Sequence, residues 1–471
     1  MGDRVRRVVV MSVAAILVGG SVASAQVTDV PSLQDAVVRW SGETETPGLA
    51  AQIVSTDGVV DSAETGVDGH GAPIDDATPF VWGSVSKQLA AATVLQLQSE
   101  GLVALSDAVT DRVPQAVEML GGTDVTVSQL IHHTSGLPHD VSVTDDWSRR
   151  GSATDTVATL QRPDGATPPG DYHYSSLNYL VLQAVVESVT DGFYADALRR
   201  TVLEPAGATD VVVDATSFTD TVPPGSAPFF WTTRTVDIGI DSAGWGYGYL
   251  AGSVGDLGRY ATWRLDRLRS GEPVGDAVET GRDTLYGNGL FRERIDGHDV
   301  WWHAGAVPGY FAYVALVPDE NRAMVLLANR YGELEADRLA AMGRNLTHLV
   351  LGGPTPSLPS SSAPGVLAAL AAVIVALLLW AAIVMRGMRR GGEPRSRRAS
   401  VVRIGLTIVV AAAVVIGSIT AVPSVVGVAP DAMWRWAPDA TVMFWALLGS
   451  VMAVAGVIVL REVAGQRRSG R

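Results

Sequence analysis

The chain of 471 residues contains no cysteine and only one lysine, Lys87, among its 35 basic residues. The absence of cysteine excludes disulfide bonds, cysteine-ligated zinc or iron–sulfur sites and a lipid anchor on cysteine. The scarcity of lysine has two interpretations. Genomic bias explains it if arginine replaces lysine wherever only charge matters. Alternatively, position 87 requires a group that can give up its proton, because arginine stays protonated in proteins whereas a buried lysine can act as a base.

Basic residues are also scarce in the central part of the chain. Residues 26–364 contain 20 basic and 44 acidic side chains, a net charge of −24 within a formal total of −14. Binding of nucleic acid requires a basic surface that neutralises phosphates. This acidity therefore argues against nucleic acid as a partner, although it also serves solubility.

The first 25 residues predict a secretory signal peptide. Arg4, Arg6 and Arg7 precede an apolar run at residues 8–19, and residues 23–25 read Ala-Ser-Ala, a typical cleavage site. We expect a mature start near Gln26, and the alternative is an uncleaved signal anchor. In both cases the residues that follow lie outside the cytoplasm.

Three uncharged apolar runs predict a three-span membrane region at residues 365–471, with the lipid bilayer as a partner. The runs cover residues 366–385, 404–422 and 441–460, each about long enough to cross a bilayer as a helix. The loop at residues 386–403 carries seven arginines and one glutamate. Because basic loops stay in the cytoplasm, this loop predicts an extracytoplasmic position for everything before the first span.

The region between the signal and the spans divides into a domain and a linker. Residues 26–351 are long enough for one large domain with its own core. Residues 352–364 are rich in proline, serine and glycine, a composition that cannot build a core and that suits a tether. The sequence therefore predicts an outer domain held at the membrane by a short linker.

The only lysine lies in a pattern that suggests nucleophilic catalysis. Residues 80–87, FVWGSVSK, predict a short strand, a glycine turn and the start of a helix that ends at Gly101. Ser84 and Lys87 are three residues apart and therefore share a helix face. A serine hydroxyl becomes a strong nucleophile when an adjacent base takes its proton. The non-catalytic alternative is a helix-capping serine beside a surface lysine. The pair therefore indicates catalysis only if further catalytic motifs accompany it in the sequence.

Such motifs follow in order along residues 30–350. Together they resemble the serine β-lactamase-like and penicillin-binding family, in the branch that contains class C β-lactamases, D-aminopeptidases, DD-peptidases and related esterases. The resemblance rests on residues 80–87 (FVWGSVSK), 125–138 (VTVSQLIHHTSGLP), 169–180 (PGDYHYSSLNYL), 203–210 (LEPAGATD), 248–257 (GYLAGSVGDL) and 302–310 (WHAGAVPGY).

The resemblance implies an α/β fold in which an antiparallel sheet is flanked by helices. It also implies an all-α lobe, inserted between the Ser84 helix and the C-terminal strands, with the cleft between lobe and sheet. Residues 311–318 and 323–329 are apolar and β-branched, and they predict two of those strands.

The resemblance also implies a role for each site residue. Ser84 would be the acylated nucleophile, Lys87 its base, and Tyr174 a relay that passes a proton between Ser84, Lys87 and the leaving group. The backbone N–H groups of Ser84 and Ala306 would form the oxyanion hole. Gly305 would let substrate lie along the strand edge, because a side chain there would obstruct it.

Two positions depart from the family pattern and bear on substrate binding. The asparagine of the family's Y-x-N element is Ser176 here, and a hydroxyl is shorter than an amide and lacks its pair of donors. The lysine of the family's K-T-G element is His303, which holds a carboxylate less well when it is neutral. Both changes favour an esterase or peptidase over a β-lactamase. The bland alternatives are a helix cap for Ser176, a structural strand residue for His303 and a core aromatic for Tyr174.

No metal or cofactor is expected. His132, His133 and His139 suggest a metal cluster, but the family's H-x-S-G-L turn accounts for His133 without one. The glycine-rich tract at residues 244–252 lacks the spacing of a dinucleotide-binding loop. Residues 251–255 resemble a nucleophile elbow but begin with alanine in place of glycine.

The sequence thus predicts a membrane-tethered, extracytoplasmic serine hydrolase. Its substrate would be a small molecule or peptide, cell-wall-derived material included, and esters, D-amino-acid peptides and β-lactams all fit the chemistry. The alternative is a receptor for a cell-wall ligand or a β-lactam, which is acylated and signals through the spans.

Overall fold

The computed structural model describes residues 31–139, 143–272, 277–281, 284–389, 396–426 and 430–469. The signal peptide predicted at residues 1–25 lies outside these residues. The described chain divides into two compact units, one made of residues 31–228 and 232–360, the other of residues 229–231 and 361–469.

An eight-stranded antiparallel sheet forms the centre of the first unit, in the strand order β2-β1-β12-β11-β10-β9-β8-β7. Two short pairs, β3 with β6 and β4 with β5, lie outside it. The strands are β1 (Gly48–Ser55), β2 (Gly58–Gly66), β3 (Phe80–Val81), β4 (Gly225–Phe229), β5 (Thr232–Val236), β6 (Ala251–Gly252), β7 (Val278–Glu279), β8 (Leu285–Gly287), β9 (Leu290–Ile295), β10 (His298–Val307), β11 (Tyr310–Val317) and β12 (Arg322–Ala328).

The helices of the first unit flank this sheet or form the lobe between β3 and β4. They are α1 (Leu33–Thr44), α2 (Ser86–Ser99), α3 (Val109–Arg112), α4 (Val117–Leu120), α5 (Val127–Ile131), α6 (Ala153–Thr159), α7 (Ser176–Thr190), α8 (Tyr194–Leu198), α9 (Glu204–Ala206), α10 (Ala215–Thr221), α11 (Val254–Arg269) and α12 (Ala336–Val350). The antiparallel sheet flanked by helices and the helical lobe confirm the predicted fold class. The strands predicted at residues 311–318 and 323–329 are confirmed as β11 and β12.

Both faces of the central strands are covered, which explains their continuous apolar sequence. Every residue of β11 is buried. Side chains alternate between the faces of a strand, so Val314 joins the core cluster that contains Leu257 of α11. The ring of Tyr313 packs on the opposite face, where a Cβ added at Gly343 of α12 would lie 2.5 Å from it. The sheet is therefore covered on both faces and supports the elements at its edge.

The second unit contains the long apolar helices α13 (Ala363–Arg389), α14 (Arg397–Val426) and α16 (Pro438–Ser469), together with the short α15 (Pro430–Trp436). The most apolar 18-residue windows in segments 363–388, 397–420 and 438–467 of the long helices have mean hydropathies of 2.9, 2.4 and 2.4, and all three segments are long and apolar enough to cross a membrane. They coincide with the three predicted spans. Ser400 donates a hydrogen bond of 2.8 Å to the buried Glu462, which links α14 to α16.

Candidate active site

Ser84 lies on a tight turn between a short strand and a helix. β3 is followed by Gly83 in the left-handed region at φ 52°, then by a 3-10 turn over Gly83–Val85, then by α2. Only glycine adopts that backbone geometry without cost, and a Cβ on Gly83 would also lie 2.4 Å from the backbone N of Ala306. The turn therefore delivers Ser84 at the start of α2, where the sequence predicts it.

Lys87 extends from the first turn of α2 into a closed polar pocket. The side chain is fully buried, and Nζ donates hydrogen bonds to the Oγ of Ser84 at 2.9 Å, the Oγ of Ser176 at 3.2 Å and the carbonyl of Tyr247 at 2.9 Å. These three acceptors match the three N–H bonds of an ammonium group. Burial lowers the pKa of Lys87 to about 7, against an opposing contribution from the negative charge of Asp145.

Tyr174 and Ser176 reach the same pocket from the lobe. Ser175 is the N-cap of α7, and its hydroxyl accepts from the backbone N–H of Leu177. The capping role is thus filled by Ser175, and Ser176 is free to meet Lys87. The ring centroid of Tyr174 is 5.1 Å from the Nζ of Lys87. Burial raises the pKa of Tyr174, so this group is a neutral phenol.

The edge of the sheet packs directly against the turn that carries Ser84. A Cβ on Gly305 would lie 2.0 Å from the carbonyl oxygen of Trp82 and 2.7 Å from the N of Ser84. Strand β9 pairs with β10 no further than Trp302, so residues 303–307 have β11 as their only paired strand among the described residues. The glycine is therefore needed for close packing on the turn, and this packing brings the backbone of Ala306 close to the turn that carries Ser84.

His303 lies on β10, on the same face as Gly305. It is buried, with ring centroids 5.3 Å from Phe291 and 6.1 Å from Tyr174. Its Nδ1–H donates to the carbonyl of Ala304 at 2.6 Å, because a carbonyl can only accept. Burial first, and the nearby charge of Lys87 second, lower the pKa of His303 to about 3. His303 is consequently a neutral imidazole whose Nε2 carries no proton.

His133 holds the lobe segment that carries Tyr174 and Ser176. It adopts a left-handed conformation at φ 56°, unusual for a residue other than glycine. Its Nδ1 accepts from the backbone N–H of Ser175 at 3.2 Å and from the Nδ2 of Asn178 at 2.9 Å, and its Nε2–H donates to the hydroxyl of Tyr286 at 3.2 Å. Burial lowers the pKa of His133 well below its ordinary value. Through these hydrogen bonds, His133 has a structural role: it connects its own turn to the start of α7 and to Tyr286 of β8.

The structure brings together Ser84, Lys87, Tyr174, Ser176 and the backbone of residues 305–306, as the sequence predicts. Sequence reasoning missed the carbonyl of Tyr247 and the tyrosine Tyr286, which come from remote parts of the chain. The glycine-rich tract at residues 244–252 was the available signal for Tyr247. Within the described ranges, no three histidine or acidic side chains converge as metal ligands would.

A serine, a buried amine of lowered pKa and two N–H groups at a strand edge are the components of acyl transfer through a serine ester. Comparison with known families agrees with this chemistry. The family model described as Beta-lactamase matches residues 33–349, and the chain therefore belongs to the beta-lactamase family, a family of serine hydrolases.

Curated relatives of the chain include proteins of this family. Penicillin-binding protein 4 of Amycolatopsis lactamdurans is 27% identical over 323 residues, which cover 61% of this chain and 82% of that protein. Protein flp of Staphylococcus aureus (strain COL) is 24% identical over 281 residues, 54% of each chain. This chain thus spans about half the length of the latter relative.

Solved structures of related fold include an octameric penicillin-binding protein homologue from Pyrococcus abyssi. It has a TM-score of 0.60 and 23% identity, and the match covers 70% of this chain and 80% of that one. A D-stereospecific amidohydrolase from Streptomyces sp. has a TM-score of 0.54 and 22% identity, covering 63% and 93% of the two chains. At these identities the likeness establishes the fold.

Proposed function

We propose that the protein is a serine hydrolase that works through an acyl-enzyme on Ser84. The observation that carries this proposal is the hydrogen bond of 2.9 Å between the Nζ of Lys87 and the Oγ of Ser84. A base must lie within hydrogen-bond reach of the proton that it removes and must have a pKa near the working pH. Lys87 meets the first condition by its position in α2 and the second because burial lowers its pKa to about 7.

The reaction begins when neutral Lys87 takes the proton of the Ser84 hydroxyl. The Oγ then forms a bond to the substrate carbonyl carbon, and the N–H groups of Ser84 and Ala306 stabilise the resulting oxyanion. Collapse of this intermediate breaks the bond to the leaving group, which receives its proton through Lys87 and the neutral phenol of Tyr174. Water attacks the serine ester by the same sequence of proton transfers and restores free Ser84.

The substrate class includes esters, D-amino-acid peptides and β-lactams, and the state of His303 favours the first two. A lysine at this position would offer a cation to a substrate carboxylate. His303 is neutral because its pKa is lowered to about 3, and its Nδ1–H is already used by Ala304. We therefore expect weak recognition of a carboxylate next to the scissile bond. The relative named as a D-stereospecific amidohydrolase suits a substrate of this kind.

We propose that the hydrolase domain lies outside the cytoplasm and is tethered at residues 352–364 to three membrane spans. The three long helices support membrane association, since each has the length and hydropathy of a span. The seven arginines of residues 386–403, which include the end of α13 and the start of α14, support a cytoplasmic position for this segment. This topology would place Ser84 on the same side as cell-wall material.

The test is covalent labelling of the full chain in detergent with a fluorophosphonate and a fluorescent penicillin, with ester turnover measured in parallel. Ser84→Ala should abolish labelling and turnover. Ser86→Ala is the matched control, because Ser86 lies two residues further along, and its buried Oγ has no hydrogen-bond partner in the part of the chain that the structure describes. Labelling that persists in Ser84→Ala, or that is lost equally in Ser86→Ala, would refute the role of Ser84.

A receptor function is the second candidate, motivated by the attachment of one cleft domain to three spans. Both functions pass through the same acyl-enzyme, but a receptor requires that it persist. Quenched-flow measurements on the wild-type chain separate them. A stoichiometric burst followed by negligible turnover favours the receptor, whereas steady turnover without a burst favours the hydrolase.

A further inference from the structure

The glycine-rich tract at residues 244–252 contributes to the environment of Lys87. Residues Trp245–Tyr249 form a single π-helical turn rather than a nucleotide-binding loop. This turn is buried and places the carbonyl of Tyr247 2.9 Å from the Nζ of Lys87. A Cβ on Gly244 would lie 2.6 Å from the ring of Tyr249, so the absence of a side chain at position 244 lets this ring pack against the start of the turn.

The phenol of Tyr247 is anchored at the opposite end of the residue from its carbonyl. It donates a hydrogen bond of 2.6 Å to the carboxylate of Asp241, which is fully buried and also pairs with Arg149. The same phenol oxygen accepts the backbone N–H of Asp145 at 3.1 Å. The turn is further held by Gln183 of α7, whose Oε1 accepts the N–H of Gly246 at 2.9 Å. The carbonyl that faces Lys87 therefore belongs to a residue whose side chain has little freedom.

Asp145 joins this anchor to a second tyrosine. Its carboxylate accepts a hydrogen bond of 2.7 Å from the hydroxyl of Tyr249, and that hydroxyl accepts one of 2.8 Å from the Nε1 of Trp147. Asp145 adopts the left-handed region at φ 60°, which aspartate and asparagine tolerate better than most residues. Segment 145–149 and loop 241–249 are thus interlocked by side chains on both.

Asp145 is also an electrostatic neighbour of Lys87. Among the described residues, the other titratable groups that face Lys87 are phenols, whose pKa burial raises, and imidazoles, whose pKa burial lowers, so these groups are neutral at pH 7. They are Tyr174, Tyr179 of α7, Tyr247, His133 and His303. Asp145 supplies the negative charge that favours the protonated amine.

We propose that Asp145, Tyr247 and Tyr249 form a positioning network for Lys87, in which Asp145 joins the two phenols and the anchored Tyr247 holds its carbonyl on Nζ. This inference rests on the proposed role of Lys87 as base. It assigns a function to the glycine-rich tract and makes Asp145 a determinant of the acid limit of activity.

The experiment measures the second-order rate of fluorophosphonate labelling against pH for the full chain in detergent. Asp145→Asn removes the charge and keeps an oxygen that can accept from Tyr249. In the wild-type chain the labelling rate falls as the pH is lowered, and we call this part of the profile the acid limb. We expect the acid limb of Asp145→Asn to move to lower pH by about half a unit or more, because Lys87 then loses its proton more readily. Asp145→Glu should restore the limb toward the wild-type position. Asp164→Asn, at an exposed aspartate, is the matched control and should leave the limb unchanged.

Tyr247→Phe tests whether the phenol of Tyr247 positions its carbonyl on Lys87. It also provides the test of the network if Asp145→Asn does not fold. It should lower the labelling rate about 2–10-fold at every pH, as loss of one hydrogen bond predicts, without moving the limb. An acid limb that stays in place in Asp145→Asn, or a wild-type rate in Tyr247→Phe, overturns the network. Absence of labelling in the wild-type chain would instead refute the proposed function.

Discussion

The state of Lys87 makes the pH dependence of acylation the most direct quantitative test of the site. A lysine of ordinary pKa, 10.5, is neutral in on the order of one molecule in 10³ at pH 7, whereas with a pKa of about 7 about half the molecules are neutral. The environment thus shifts the protonation equilibrium by about 5 kcal/mol. Because the neutral amine is the base, the acylation rate should be lost as the pH falls.

We expect a plateau above pH 8 and a tenfold loss for each pH unit well below 7 in the labelling rate of the wild-type chain. Lys87→Arg keeps a positive charge but cannot supply a neutral base, because a guanidinium stays protonated. Its labelling rate should be about 10²–10⁴-fold lower on the plateau. Lys87→Gln, which is uncharged, separates loss of the base from overcrowding by the larger guanidinium.

The assay is stopped-flow or gel-based labelling between pH 5 and 9, on protein whose fold is checked at each pH by circular dichroism. A flat profile across this range would contradict the assignment of Lys87 as base. So would a wild-type rate in Lys87→Arg.

Three further predictions concern stability, specificity and packing. Lys87→Met should raise the free energy of unfolding by up to about 4 kcal/mol at pH 7 in urea titrations, because the unfolded chain binds a proton that the folded chain binds weakly. That gain should shrink as the pH rises toward 10.5. His303→Lys should raise kcat/KM roughly tenfold for substrates with a carboxylate beside the scissile bond, relative to the matching amides. Gly305→Ala should abolish labelling or folding, since its Cβ would lie 2.0 Å from the carbonyl of Trp82, whereas Gly42→Ala, with nothing within 4 Å, should be neutral or stabilising by about 0.5–1 kcal/mol.

Local sequence patterns predict the parts of the site that depend on neighbours in the chain. The spacing of Ser84 and Lys87 predicts their contact because a helix places residues three apart on one face. The apolar runs predict β11, β12 and the three long helices because each run lies within a single element of secondary structure. Residues that share an element can be related by counting, without knowledge of the rest of the fold.

Contacts between distant segments are beyond such patterns. Asp145 and Tyr249 are 104 residues apart in the chain, and their contact exists because the lobe packs against the π-helical turn. The left-handed backbone of His133 likewise carries no local signature, since most such positions are glycine. The need for Gly305 to pack against the turn also follows from the tertiary fold, through its closeness to Trp82.

The single lysine differs from the buried arginines in what it contacts. Arg264 and Arg330 are as deeply buried as Lys87, but each pairs with a carboxylate, Glu272 at 2.7 Å and Glu335 at 3.2 Å. A carboxylate partner compensates the cost of burying the positive charge of an arginine side chain. Lys87 instead has three neutral oxygen acceptors, which compensate burial only in part and leave its proton easy to remove. At the paired positions a permanent positive charge is suitable, so genomic bias suffices to explain arginine there. At position 87 an arginine would bury a positive charge that has no carboxylate partner and that cannot be removed by loss of a proton.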